Sequence, residues 1–311
     1  MLQRLINAGI EESEAKKEIS ILEKEIKDSN RINEILDERI KTRKPLQYIL
    51  RKAYFMDFEV EVNENVLIPR PETELLVGET LKNLKCHSRL DRESRNESQV
   101  LDSHFRGNDN VLNILDIGTG SGIIPIALAK ALPEGKITAL DINKEIIELA
   151  KKNALKNNVG EKINFKICDV FSKCFEGLIN ANKFDLIISN PPYVKDENLK
   201  SLSPEVQHEP KEALVGSKEN KSGLIYYERI LEVVAAKRHC EEHSDEAISK
   251  TLVDCRVGTK VPPRNDVILV AFEIDPSLVN DLKSLMNKHK IEKYEIVKDY
   301  SKLDRFLFIS F

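Results

Sequence analysis

The chain has no tryptophan, only five cysteines among 311 residues, and no unbroken apolar run of the ~20 residues that a membrane-spanning helix requires. A transmembrane anchor is therefore not expected. An odd cysteine count without a signal-peptide pattern excludes a disulfide-stapled secreted scaffold and points to a reducing cytoplasm. No C-x2-C pair is present, and the one H-x3-H pair, His239 and His243, stands in a polar stretch whose adjacent Cys-His dipeptides make poor chelators, so no metal site is expected. Excess positive charge is lacking too: 48 Lys and Arg stand against 52 Asp and Glu, a net charge of -4. That balance gives no overall drive toward a phosphate backbone, and no stable nucleic-acid partner is expected. A cluster of Lys41, Arg43, Lys44, Arg51 and Lys52 reads either as a local basic patch or as a solvated helix end.

What is present begins with Asn190-Pro191-Pro192-Tyr193, directly after the apolar run 184–189. A planar NH2 on an sp2 carbon, in a glutamine amide or in adenine, offers two donors and only a delocalised lone pair, so it must be held before it can attack. The Asn190 side-chain oxygen can accept one N–H and the Pro191 carbonyl the other. The two prolines stiffen the backbone, and Tyr193 can lie against the amide plane. A plain turn ending a strand is the competing reading.

Some seventy residues earlier, 111–117 reads as a buried strand ending in Asp116-Ile117. Gly118-Thr119-Gly120-Ser121-Gly122 and a helix from Ile123 follow. Alternating glycines let the backbone approach a ligand, and the helix N-terminus offers free N–H groups. The dinucleotide fingerprint wants a third glycine where Ile123 sits, which disfavours NAD or FAD; G-x-G-x-G behind Asp116 suits S-adenosylmethionine better. The next strand, 136–140, ends at Asp141, placed either for ribose hydroxyls or as a helix cap. A third, 163–167, ends in Cys168-Asp169-Val170, where Asp169 can meet an adenine ring flanked by Val170. Parallel strands with right-handed crossovers bring these ends to one sheet edge, so the glycine turn, Asp141, Asp169 and Asn190 are expected to line one crevice.

These features, with Lys44-Pro45-Leu46-Gln47-Tyr48-Ile49, Phe55, 66–74 (through Ile68-Pro69-Arg70-Pro71-Glu72-Thr73-Glu74), Glu209-Pro210, Ala213-Leu214, Gly223-Leu224 and Tyr227, resemble the bacterial release factor N5-glutamine methyltransferases. The resemblance implies an α/β fold with a Rossmann-like seven-stranded sheet and a small N-terminal helical domain joined by a β-hairpin. It implies that S-adenosylmethionine lies on Gly118, Thr119, Gly120, Ser121, Gly122, Asp141, Asp169, Val170 and Asn190. Asn190, Pro191, Pro192 and Tyr193 would bind the glutamine of the Gly-Gly-Gln loop of class I peptide chain release factors, and the enzyme would act as a monomer. Ribosomal-protein glutamine and DNA adenine-N6 methyltransferases share the Asn-Pro-Pro-Tyr signature. Arg70-Pro71-Glu72-Thr73-Glu74 and the absence of a separate DNA-recognition domain favour the release-factor branch. A noncatalytic relic that binds only cofactor or release factor is the reading from another class.

The organisation follows. Residues 1–47 read as a helical bundle of three short helices, with Ser13 as a helix cap, and the bundle as either an N-terminal cap on the catalytic domain or, by resemblance, a release-factor contact. Residues 48–69 read as a hairpin linker pairing 54–62 with Val66-Leu67-Ile68, and 70–311 as the methyltransferase domain. A helix starting near Thr73 is expected to end near Leu84. Two polar stretches, 86–110 and 238–266, share a vocabulary and resemble translated mobile elements; long surface insertions cost little closure entropy. They hold three of the five cysteines and four of the six histidines. The segments 267–274, 277–288, 294–297 and 305–309 read as a strand, a helix and an antiparallel edge pair that complete the sheet.

Overall fold

The computed structural model describes residues 1–93, 111–216, 222–251 and 268–311, with side chains left out at 85–93 and 239–251. Four N-terminal helices come first: α1 (Leu2–Asn7), α2 (Glu12–Glu25), α3 (Ser29–Thr42) and α4 (Leu46–Leu50). Apolar residues at helical spacing meet in one cluster containing Leu5, Ala15, Leu22, Ile32, Ile35, Leu36 and Leu46. The fourth helix, five residues behind Pro45, is one more than the periodicity suggests. Ser13 is not the cap of α2. It lies inside the helix, and its hydroxyl donates to Glu11 (2.6 Å), the residue that precedes the first turn. At α3 Asp28 does cap, accepting from the Asn30 N–H at 2.9 Å.

The hairpin closes sooner than expected. Strands β1 (Ala53–Phe55) and β2 (Phe58–Val60) pair antiparallel with Phe55 opposite Phe58, around a two-residue turn in which Met56 takes a φ of 50°. Val66-Leu67-Ile68 is therefore no strand partner. The Val66 N–H closes a turn on Asn63, and Pro69 and Pro71 lack donors for a ladder, so this segment runs irregularly into α5 (Pro71–Glu93). The helix extends past Leu84 to Glu93; most of the expected insert at 86–110, and the later part of that at 238–266, lie outside the described residues.

Alternating strands and helices build the remainder: β3 (Asn113–Ile117), α6 (Ile123–Ala131), β4 (Lys136–Asp141), α7 (Lys144–Lys156), β5 (Ile163–Ile167), α8 (Lys173–Ala181) and β6 (Leu186–Ser189). After a loop with two short 3-10 turns come α9 (Lys211–Leu214), α10 (Ile225–Thr251), β7 (Leu269–Glu273), α11 (Val279–Lys288), β8 (Tyr294–Lys298) and β9 (Asp304–Ser310). The strands form a seven-stranded sheet in the order β5-β4-β3-β6-β7-β9-β8, in which β9 runs antiparallel to both its neighbours. Sequence order reverses between β3 and β6, and a crevice opens there at the carboxyl ends of the parallel strands. All four residues of β6 and all five of β7 are buried, as strands covered on both faces should be. One core, with Leu76, Val77 and the apolar residues of α6, covers one face; the other, with Phe175, Tyr227, Ile230 and Phe272, covers the second. Each fully buried Leu, Ile or Phe contributes about 1.5–3 kcal/mol of transfer free energy, so the strand ends are held on a stiff platform.

Candidate active site

The glycine turn sits where β3 ends. Gly118, Gly120 and Gly122 all have positive φ (73°, 53° and 86°), which is what a path from strand to helix in five residues demands and what side chains resist. The Gly118 and Thr119 N–H groups donate to the Leu140 carbonyl (2.9 and 2.8 Å), tying the turn to the end of β4. Asp141, the next residue, accepts from the Gly120 N–H at 3.1 Å and the Asn143 N–H at 3.2 Å. Burial raises its carboxyl above the usual range, and these backbone donors oppose the shift.

Gly118 to Ser121, Asp141, Asp169, Val170, Asn190, Pro191 and Pro192 line one cleft, so the expected convergence of strand ends is realised. Two predicted residues are not among its lining. Gly122 precedes the first turn of α6 with its Cα turned to α7, where an added Cβ would stand 3.2 Å from that of Ala150, so it serves close helix packing. Tyr193 packs against the second core, and an added Cβ at Gly223 would meet its carbonyl oxygen at 2.6 Å. Asp169 accepts from the Phe171 N–H at 2.9 Å, while Ile142, 64% exposed, contributes an apolar surface to the cleft that a flat ring can cover.

Beneath the turn, Asp116 is completely buried, and neither of its carboxylate oxygens nor the Thr119 hydroxyl has a hydrogen-bond partner within the chain. Burial pushes Asp116 up to about 7, with the Thr119 side chain pulling the other way. A buried acceptor without a donor is costly, and a cationic donor from outside would satisfy it. The sequence pattern singled out Asp116 only as the residue before the glycines.

At the opposite wall, the Asn190 side-chain nitrogen donates to the Thr73 hydroxyl oxygen at 3.2 Å, and that hydroxyl donates to Glu273 at 2.7 Å. Thr73 opens α5 and Glu273 ends β7, 200 residues apart, so only the folded chain brings them together. Arg70, also on the cleft, gives one nitrogen to both oxygens of buried Glu209 (2.7 and 2.8 Å) and ties the entry to α5 to the loop beyond Asn190. Spacing could not single out Thr73, Glu273 or this pairing. The basic cluster is largely neutralised: Arg43 pairs with Glu205, Lys44 with Glu64, and Lys52 with Glu25 and Glu59. Away from the cleft lining, Glu228, Glu232 and His289 bring potential ligand atoms within 4.8 Å of one another, but Lys288 already pairs with Glu228. Among the described residues no helix is long and apolar enough to cross a membrane.

The doubly wound sheet with its reversed seventh strand, carrying a glycine turn and a strand-end Asn-Pro-Pro on one crevice, defines a Rossmann-like methyltransferase. Residues 79–215 match the family described as Methyltransferase small domain. The chain is 32% identical over 269 residues to the release factor glutamine methyltransferase of Chlorobaculum tepidum, covering 86% of this chain and 74% of that one. It is 33% identical to that of Fusobacterium nucleatum, covering 91% of this chain but 65% of the longer relative, just under two thirds of its length. A solved methyltransferase from Pyrococcus furiosus superposes with a TM-score of 0.46 at 16% identity, covering 91% of this chain and 98% of that one. The chain belongs to the release factor glutamine methyltransferase family.

Proposed function

We propose that this protein transfers a methyl group from S-adenosylmethionine to the side-chain amide nitrogen of the glutamine in the Gly-Gly-Gln loop of class I peptide chain release factors. The residues present fit the cofactor. The unpartnered oxygens of Asp116 and the Thr119 hydroxyl suit an ammonium, Asp141 suits ribose hydroxyls, and Ile142, Asp169 and Val170 suit a purine. When bound, S-adenosylmethionine supplies an electrophilic methyl on a positively charged sulfur.

The observation that carries the reading is Asn190, anchored through its nitrogen on Thr73 and sharing a cleft with the glycine turn. With its NH2 occupied, the carboxamide keeps its oxygen for one N–H of the incoming amide, while the Pro191 carbonyl accepts the other. The amide nitrogen is thereby held with its lone pair free to attack, and the proton it sheds passes to solvent. Positioning of this kind supplies up to ~7–11 kcal/mol of the barrier, so no strong base is needed. The N-terminal helical unit at 1–47, whose last helix runs on to Leu50 in the linker at 48–69, would present the release factor to the domain at 70–311. The monomer has everything this scheme requires.

The test is mass spectrometry of a class I release factor, a ribosomal protein carrying an acceptor glutamine, and adenine-containing DNA after parallel incubations with the cofactor. One added methyl on the Gly-Gly-Gln glutamine, lost in Asn190→Ala with cofactor affinity retained, is the expected result. Methylation of either other substrate alone, or cofactor binding without transfer, would overturn it.

A further inference from the structure

We propose that Thr73 and Glu273 are positioning residues that decide which end of the Asn190 carboxamide faces the cleft. The inference rests on the amide-holding role given to Asn190 above and deepens it. An asparagine amide is close to symmetric in shape, and a half-turn about its last bond exchanges oxygen for NH2 at almost no steric cost. The two orientations are chemically opposite here. An oxygen toward the cleft accepts an N–H from the substrate amide; an NH2 in its place repels it.

The chain of contacts removes the ambiguity. An ionised Glu273 can only accept, so the single hydroxyl proton of Thr73 goes to it at 2.7 Å. The Thr73 oxygen then offers only lone pairs on its other side, and only the NH2 end of Asn190 can meet it, as it does at 3.2 Å. The Asn190 oxygen is left for substrate. Thr73 and Glu273 are each 1% exposed, so water does not substitute for either bond. The Tyr227 hydroxyl takes the Glu273 backbone carbonyl at 2.8 Å, which fixes the end of β7 without competing for the carboxylate.

The polarity can be reversed by one proton. A neutral Glu273 can donate to Thr73, which frees the threonine hydroxyl to donate to the Asn190 oxygen and makes both amide orientations acceptable. Burial pushes Glu273 up to about 7, first against the Thr73 hydroxyl bond that favours the ionised form. The charged and titratable groups around it are Glu72 from the first turn of α5, Arg70 just before it, Arg305 from β9, Tyr193 beyond β6 and Tyr227 from α10. Glu72 acts to raise it further, and Arg305 and Arg70 to lower it.

The experiment reads the relay directly and through turnover. With asparagine-selective 15N labelling, the Asn190 side-chain NH2 signal, assigned by its loss in Asn190→Asp, is followed from pH 5.5 to 9 in the full chain. The expected result is a shift with the midpoint of Glu273, seen also by 13C on its carboxyl. That shift should be absent in Glu273→Gln and Thr73→Val and retained in Thr73→Ser. In parallel, kcat for the release factor should fall ~10–100-fold in Glu273→Gln, the scale set by a misplaced reacting group. The acid limb of its pH profile should vanish while cofactor affinity is kept. An Asn190 signal indifferent to the ionisation of Glu273 overturns the relay, whatever the activity. The coupled titration without transfer to any glutamine leaves the relay standing and overturns the release-factor reading instead. The titration itself is read on the parent chain, with Asn190→Asp needed only to assign the signal.

Discussion

Arg70 and Glu209 form a one-nitrogen, two-oxygen ion pair, at 2.7 and 2.8 Å, between the segment that enters α5 and the loop that follows Asn190. The Glu209 side chain is 1% exposed and the Arg70 side chain 31%. Burial raises Glu209 above the usual carboxylate range even with Arg70 opposing it. Removing the arginine strands a buried charge, which costs about 3 kcal/mol, whereas removing both charges costs less. Arg70→Ala should therefore lower Tm clearly, and Arg70→Ala with Glu209→Gln should recover part of the loss. The sign with pH follows from the raised carboxyl. Both proteins lose stability as pH exceeds the unfolded value of 4.5, but without Arg70 the folded-state value rises further, so the gap between Arg70→Ala and the parent should widen as pH passes the parent's raised value. Thermal unfolding across pH checks this, and a gap that narrows with pH would refute it.

Asp116 presents the same logic beneath the glycine turn. Its folded-state value near 7 against an ordinary 3.8 means that the ionised form destabilises the unliganded fold. The penalty is absent below about 4, grows through the interval and is complete above about 7, where it reaches the order of a few kcal/mol. Asp116→Asn should thus raise the Tm of the unliganded protein at pH 8 and scarcely change it at pH 4. On the proposed role of its oxygens toward the cofactor's ammonium, loss of that charge-assisted bond should weaken S-adenosylmethionine binding ~10–100-fold. Calorimetric titration and thermal melts measure the two opposed effects on one variant.

The sheet and one wall of the cleft were legible because they are written locally. Strand, glycine turn, helix and strand-end acid follow one another within a few residues at β3 and β4, and Asn190 follows β6 directly, so topology alone carries them to one edge. The other wall was not legible. Thr73 and Glu273 touch across 200 residues, and Arg70 and Glu209 across 139; no spacing rule links them. The early closure of the hairpin is not legible because Met56 has no turn propensity; it adopts a φ of 50° with its N–H donated to the Glu74 carboxylate at 2.7 Å. The strand pattern in Val66-Leu67-Ile68 reflects burial of Val66 and Ile68, which an irregular segment achieves equally well.

The N-terminal helices are coupled to the loop beyond Asn190 by Glu205. Its carboxylate accepts from Arg39 at 3.1 Å and from Arg43 at 2.8 Å, while the His208 ring meets the Thr42 carbonyl at 2.9 Å. Arg39 is fully buried and also holds Glu18 at 2.9 Å. Glu205→Ala should raise amide hydrogen exchange through 196–208 while leaving β3, β6 and β7 protected, because the sheet cores do not depend on that contact. Its effect on turnover should appear in KM for the release factor rather than in cofactor affinity. Equal exchange in the parent and the variant over 196–208 would show that the loop is held elsewhere.

Gly118 and Gly122 separate what a glycine does for a ligand from what it does for packing. Both have positive φ, so alanine at either carries a strain of about 1–2 kcal/mol. At Gly122 the new Cβ would also lie 3.2 Å from the Ala150 Cβ and 3.3 Å from its Cα, both on α7, so helix α6 must shift. At Gly118 it would meet nothing within 4 Å, but this residue lines the cleft. Gly122→Ala should therefore lose more stability than Gly118→Ala, and Gly118→Ala should lose more cofactor affinity for its smaller loss of Tm. Melts and calorimetric titrations of the two variants decide the matter. If the order were the same for both quantities, the two glycines would share one role and the division drawn here between cradle and packing contact would fail.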